Sequence, residues 1–196
     1  QHDVKRLDRL ISDISDASRL DAELAREDAG PVDMDDLLRA TVSLYNDIHL
    51  DELPEVSLEI EHAPGTYPYR VFGHDSRLHQ VMVNLIENAI SFSPPRGRVT
   101  ITARRRGTNI EILIEVEGPG IPPENLERVF ERFYTDRPHE TFGQNSGLGL
   151  NISRQIIAAH GGRLYAENRP APGGEAAAAG VKRSGGARFV IRLAAT

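Results

Sequence analysis

The stretch Asn145-Ser146-Gly147-Leu148-Gly149-Leu150-Asn151-Ile152 decides how this chain is read. Two glycines one residue apart open an amphipathic segment, expected to be a helix over residues 146–160. Glycine lets the backbone approach a ligand closely, and the first N–H groups of a helix have no partner inside it. Such a helix start suits an anion, phosphate above all. Gly143 precedes the pair by four residues, giving Gly-x-x-x-Gly-x-Gly. No Lys-Ser/Thr follows Gly149, so this is not a P-loop, and the spacing is not the Rossmann one either.

Upstream, residues 134–146 are polar and glycine-containing with no apolar period, and read as a mobile loop. A short helix is expected over residues 124–130, after the sharp loop Gly118-Pro119-Gly120-Ile121-Pro122. Residues 98–106 and 109–117 read as a hairpin around Gly107-Thr108, with Ile110, Ile112, Ile114 and Val116 on one face. Asp75 is the expected cap of a helix reaching about Phe92, whose inner face carries Leu78, Val81, Met82, Leu85, Ile86 and Ala89. Strands are expected over residues 56–60 and 69–72, and a helix from Met34 to about His49 behind Asp33 as cap. Downstream, residues 162–168 and 187–193 read as strands. The Pro/Gly/Ala-rich stretch 169–186 between them is expected to be disordered and without chemistry. These elements sum to an α+β fold, a two-layer sandwich with helices on one face of a mixed sheet.

Residues 1–28 stand apart. Val4, Leu7, Ile11 and Ile14 recur at helical spacing with Leu10, Ala17 and Leu24 alongside, and Gly30-Pro31 is the expected stop. A lone helix has nowhere to bury such a stripe, so pairing with another helix or a second copy is expected. The chain begins at Gln1 and reads as a piece of a longer protein, divided into residues 1–29 and 30–196. A formal net charge of -6 argues against a nucleic-acid binder. With no cysteine there is no disulfide frame and no thiolate metal site. No apolar run approaches the ~20 residues of a membrane span.

Asn84 and Asn88 lie four apart on one helix face, where their amide oxygens suit a hard cation such as Mg²⁺. Two capping or exposed asparagines are the plain alternative, but apolar Leu85, Ile86 and Ala89 mark the helix as buried, and a buried amide needs a partner. The Gly118–Gly120 turn is a candidate pocket wall because it follows an inward-alternating strand. Phe130 and Phe133, beside the polar loop, are local core or the hinge of a lid.

The order Asn-x-x-x-Asn, Gly-x-Gly, Phe-x-x-Phe, Gly-x-Gly-Leu resembles the ATP-binding catalytic domain of bacterial sensor histidine kinases, in the group that includes gyrase, Hsp90 and MutL. The likeness covers about residues 33–196. The stretches Phe133-Tyr134-Thr135-Asp136-Arg137-Pro138 and Gly143–Leu150 look most like alphaproteobacterial sensors of the ChvG/BvrS/ExoS type. The resemblance implies ATP and Mg²⁺ as ligands, with Asn84 and Asn88 as the paired asparagines and Asn88 as the metal ligand. It implies Gly118, Gly120 and Ile121 beside the adenine, and Phe130 and Phe133 at the edge of an ATP lid holding Tyr134, Arg137 and Ser146. Gly147, Leu148, Gly149 and Leu150 would meet the phosphates. It further implies that residues 1–28 are the second helix of a dimerisation hairpin. The phosphate would then pass to a response-regulator receiver domain, and the parent would be an inner-membrane sensor with this part in the cytoplasm.

Two positions depart from that family's pattern. Val116 stands where relatives carry the Asp that accepts from the adenine amino group, and Glu117 is expected to point the other way. Ser91 stands where many relatives carry a cation toward the phosphates, a role open here to Arg132 or Arg137. The phosphoacceptor histidine is also not recognisable: His2-Asp3 lacks the following Pro, and the other histidines show no metal spacing. The leading expectation is therefore a protein-histidine kinase catalytic fragment whose acceptor lies elsewhere. The alternatives are a degenerate, nucleotide-weak binding module, and an ATP hydrolase. A hydrolase needs a base for water, and Glu87, the nearby acid, lies off the Asn84 face.

Overall fold

The computed structural model describes residues 28–47, 54–61, 69–134, 147–170 and 184–196. The expected helix over residues 1–28 therefore lies outside the described residues, save for Asp28. So do His2, Arg137, Ser146 and most of the polar loop before Gly147.

The hairpin of β4 (Arg98–Arg106) and β5 (Asn109–Val116) forms the centre of the sheet. Ile110, Ile112, Ile114 and Val116 are buried as the alternation requires. Across the ladder, Val116 pairs with Val99 on one side and Ala187 on the other. The strands run β2-β4-β5-β7-β6, with β2 (Glu55–Ile60), β6 (Arg163–Pro170) and β7 (Ser184–Ala194) completing the sheet. Only β2–β4 is parallel, so the sheet is mixed as expected.

Three helices lie on the inner face: α1 (Met34–Asn46), α2 (Asp75–Phe92) and α3 (Gly149–Ala159). The helix α2 buries Leu78, Val81, Met82, Leu85, Ile86 and Ala89, the stripe read from its spacing. Full burial of each of these side chains except Ala89 stabilises by about 1.5–3 kcal/mol. The outer face is instead a ladder of charge. Glu111, nearly fully buried, accepts from Arg104 Nε at 2.6 Å and Arg192 Nε at 2.8 Å. Burial pushes its carboxyl up, but the two arginines outweigh that and hold it below the usual range.

Several expectations need correction. Whether Gly30-Pro31 stops a helix falls outside the described residues, but these two residues are more than a stop: Gly30–Asp33 is a strand, β1, antiparallel to β3 (Arg70–Gly73) in a separate two-stranded sheet. Proline is tolerated in an edge strand because it need not donate to a ladder. Asp33 does cap α1, its Oδ1 accepting from Asp35 N–H at 3.1 Å. Asp75 is not the cap of α2. His74 holds that position, and Asp75 is the first helical residue, where a carboxylate still suits the helix dipole. The single helix expected over 124–130 is two 3₁₀ turns, Pro123–Asn125 and Arg128–Phe130. The third helix begins at Gly149 rather than at Ser146, because Gly147 sits at φ 72°, outside the helical region.

Candidate functional site

Three segments converge beside α2: its own C-terminal half, the loop after β5, and the start of α3. Asn84 looks toward α3. Its amide Nδ2 donates to Gly149 O and to Ser153 Oγ, both at 3.3 Å. A Cβ on Gly149 would stand 3.5 Å from the Asn84 amide carbon, an ordinary van der Waals contact, so the two helices touch at this point. Asn84 thus binds helix to helix, and its amide nitrogen is committed to α3. Asn88 lies one turn further along α2, half-buried, with its backbone carbonyl accepting from Ser91 Oγ at 2.7 Å. Ser91 is exposed and turns its hydroxyl back onto its own helix.

The loop after β5 passes the end of α2: a Cβ on Gly118 would lie 3.5 Å from Phe92 O. Gly120 sits at φ 80°, which L side chains rarely adopt. Ile121 is held by Asn168 of β6, whose Oδ1 accepts from Ile121 N–H at 2.7 Å and whose Nδ2 donates to Ile121 O at 2.6 Å. Val116, 4% exposed, contributes an apolar floor just before this loop. Glu117 is exposed and does not take the position of Val116, so the alternation reads through as expected.

The phenylalanine pair divides between two roles. Phe130 is core, edge-on to Phe189 at 6.3 Å between ring centres, with the Arg154 guanidinium over its ring at 4.8 Å. Its carbonyl accepts from Asn151 Nδ2 at 2.8 Å. Phe133 is 57% exposed at φ 63°, and its N–H donates to Gly147 O at 3.0 Å. A Cβ on Gly147 would press on the backbone of Phe133 and Tyr134 at 3.0 Å, so the two segments meet through glycine. The Arg128 guanidinium lies over the Tyr134 ring at 5.2 Å. Leu148 is buried at 1% and anchors the turn, while Leu150 packs partly buried against the core. The first turn of α3 carries no acidic residue, so its N–H groups are open to an anion without a competing charge. Glu87 is exposed and faces elsewhere: burial first, and then the Glu87 charge, push the Tyr45 hydroxyl up to about 12.

Asn84, Gly147, Leu148, Gly149 and Phe133 are therefore brought together, while Asn88, Ser91, Gly118 and Phe92 share the neighbouring end of α2. Asn151, Ser153 and Asn168 were not expected from sequence. A polar side chain at an inward-alternating position, as Asn168 is after Leu164 and Ala166, is the signal that would have found the last of them.

A family model described as histidine kinase-, DNA gyrase B- and HSP90-like ATPase matches residues 73–196, which hold all of these segments. The chain belongs to this family. Its relatives include sensor protein ChvG of Agrobacterium fabrum, 53% identical over 85% of this chain and 29% of that protein. Sensor protein ChvG of Rhizobium meliloti is 50% identical over 100% of this chain and 33% of that protein. The chain thus spans about a third of the length of these relatives. A solved structure, full-length ShkA in complex with AMPPNP, matches with TM-score 0.70 and 26% identity over 96% of this chain and 36% of that one. Residues 73–196 are accordingly an ATPase-type domain of the sensor histidine kinase kind. Among the described residues, no helix is long and apolar enough to cross a membrane.

Proposed function

We propose that this chain is the ATP-binding catalytic part of a two-component sensor, transferring the γ-phosphoryl group to a histidine outside residues 30–196. The observation that carries the reading is the meeting of Asn84 with Gly149 at the open start of α3. Phosphates placed there accept from first-turn N–H groups, and Gly147 and Gly149 leave the space a side chain would fill. The base would lie toward Gly118, Gly120 and Ile121, above Val116. AMPPNP in a structural relative supports a nucleotide in this cleft. The amide oxygen of Asn88 is a hard donor that suits Mg²⁺, which when bound would neutralise phosphate charge.

The work of the protein's own residues is positioning. The α3 start fixes the phosphates, the Asn84 amide fixes α3, and Arg132, Arg137, Tyr134 and Ser146 would close over them. The nucleophile, a neutral imidazole nitrogen, comes from a dimerisation hairpin of which residues 1–29 form the second helix; residues 30–196 form the catalytic domain. Pairing through that helix and transfer onward to a response-regulator receiver domain complete the proposal, in a sensor whose catalytic part faces the cytoplasm. Hydrolase chemistry is disfavoured because the nearby acid, Glu87, lies toward Tyr45 and off the Asn84 face of α2.

Calorimetric titration of ATP–Mg²⁺ into the chain, beside Val116→Asp, tests this. Micromolar to submillimolar binding by the chain itself supports the kinase reading. Binding that appears only with Val116→Asp favours a nucleotide-disabled module, the second reading that the apolar Val116 floor motivates. No binding by either contradicts the proposal.

A further inference from the structure

The backbone of residues 118–121 makes two of the described hydrogen bonds to a side chain, both with Asn168, which accepts one and donates the other. Asn168 lies on β6, two strands from β5, in register with Ala187 and, through it, with Val116. The row is kept bare between them. Ala187 offers only a methyl group. The carboxamide therefore has a clear path over β7 to the loop. It meets N–H and C=O of one residue, Ile121, as a second backbone would, closing a ring at 2.7 and 2.6 Å. A neutral carboxamide both accepts and donates from one planar group; an ionised carboxylate only accepts. The strand register shifts just beyond, between Asn168 and Pro170, so the residue sits where β6 leaves the ladder.

We propose that Asn168 is a positioning residue that presets the Gly118–Ile121 loop for the base end of the nucleotide. This rests on the nucleotide reading above. With the loop fixed before binding, the ligand need not order it, and affinity rises by the ordering that is avoided.

The test uses the 196-residue chain with a fluorescent ATP analogue displaced by ATP, together with hydrogen exchange at the Ile121 amide. Asn168→Ala is expected to weaken ATP about tenfold, as loss of two neutral hydrogen bonds implies. Exchange at Ile121 should rise while the core of β5 stays protected. Asn168→Asp supplies a readout that general destabilisation would not move. Ionised, its carboxylate accepts from Ile121 N–H but faces Ile121 O without a proton; protonated, it restores both bonds. Its deficit against the parent chain is expected in full at about pH 7 and to narrow toward about pH 4, where a carboxyl of ordinary pKa about 3.9 gains its proton. Equal affinity and unchanged Ile121 exchange in Asn168→Ala, or an Asn168→Asp deficit indifferent to pH, would overturn the positioning role. A parent chain that binds no ATP would overturn the nucleotide reading instead. Exchange at Ile121 would still decide whether Asn168 holds the loop.

Discussion

At the loop after β5, Asn168 grips Ile121 with two bonds of 2.7 and 2.6 Å, whereas at the start of α3 Asn84 divides one amide between Gly149 O and Ser153 Oγ at 3.3 Å each. The first pair lies at the short end of the hydrogen-bond range and the second at its long end. The first glycine segment is thus fixed by the sheet. The second is joined to Phe133 by a single backbone bond and leaves its first-turn donors open. On the proposed reading, the base end is built before ATP arrives and the phosphate end is completed by it.

The largest effect should come from Asn84→Asp. It removes the donor to Gly149 O and puts a negative charge beside the phosphates. Affinity for ATP is expected to fall about a hundredfold, or roughly 2.7 kcal/mol, by calorimetry. A loss of tenfold or less would mean that Asn84 contributes little at this end. Gly147→Ala should follow. A side chain at φ 72° costs about 1–2 kcal/mol, and here it also presses on Phe133 and Tyr134. Roughly tenfold weaker ATP binding is expected, with a thermal midpoint lower by a few degrees. An unfolded variant would show that the turn belongs to the core.

Val116→Asp probes the base end. Burying a carboxyl in the row between Val99 and Ala187 should cost about 1–3 kcal/mol of stability, read by denaturant titration. Yet it offers the base an acceptor, and ATP binding is expected to tighten by up to about tenfold. Tighter binding with no stability cost would show that position 116 is less enclosed than its burial indicates.

The smallest effect concerns the far end of the same helix pair. His160, just after α3, accepts from the His74 N–H at 3.0 Å through Nε2, and its Nδ1 lies 2.7 Å from Ile156 O. Burial, and then the neighbouring His74, outweigh the Ile156 bond and hold the imidazole below its usual range. A depressed pKa means the fold favours the neutral ring. Its contribution is complete above the ordinary value of about 6.5 and is lost as pH falls through the folded value. Thermal midpoints should therefore drop modestly on acidification, and His160→Asn should flatten that slope. An unchanged slope would separate this contact from stability.

Much of this was legible in the residues. The alternation of Ile110, Ile112, Ile114 and Val116 fixed the inner face of β5, and the stripe from Leu78 to Ala89 fixed that of α2. Local signals were weaker where tertiary contacts decide. Gly30–Asp33 is too short to announce a strand and exists by pairing with β3. The start of the third helix depended on the φ of Gly147, which spacing does not encode. Asn84 and Asn88 read alike in sequence, but only Asn84 meets Gly149, because α3 crosses α2 at that turn. Asn168 was hidden at a strand end, its partner 47 residues away.

Hydrogen exchange of the chain with and without ATP–Mg²⁺ tests the contrast between the two ends most directly. New protection should concentrate at the amides of Gly149, Leu150 and Asn151, with Ile121 already slow and little changed. Protection gained equally at both ends, or first at Ile121, would contradict a preset base end. No change at either would contradict a nucleotide site here.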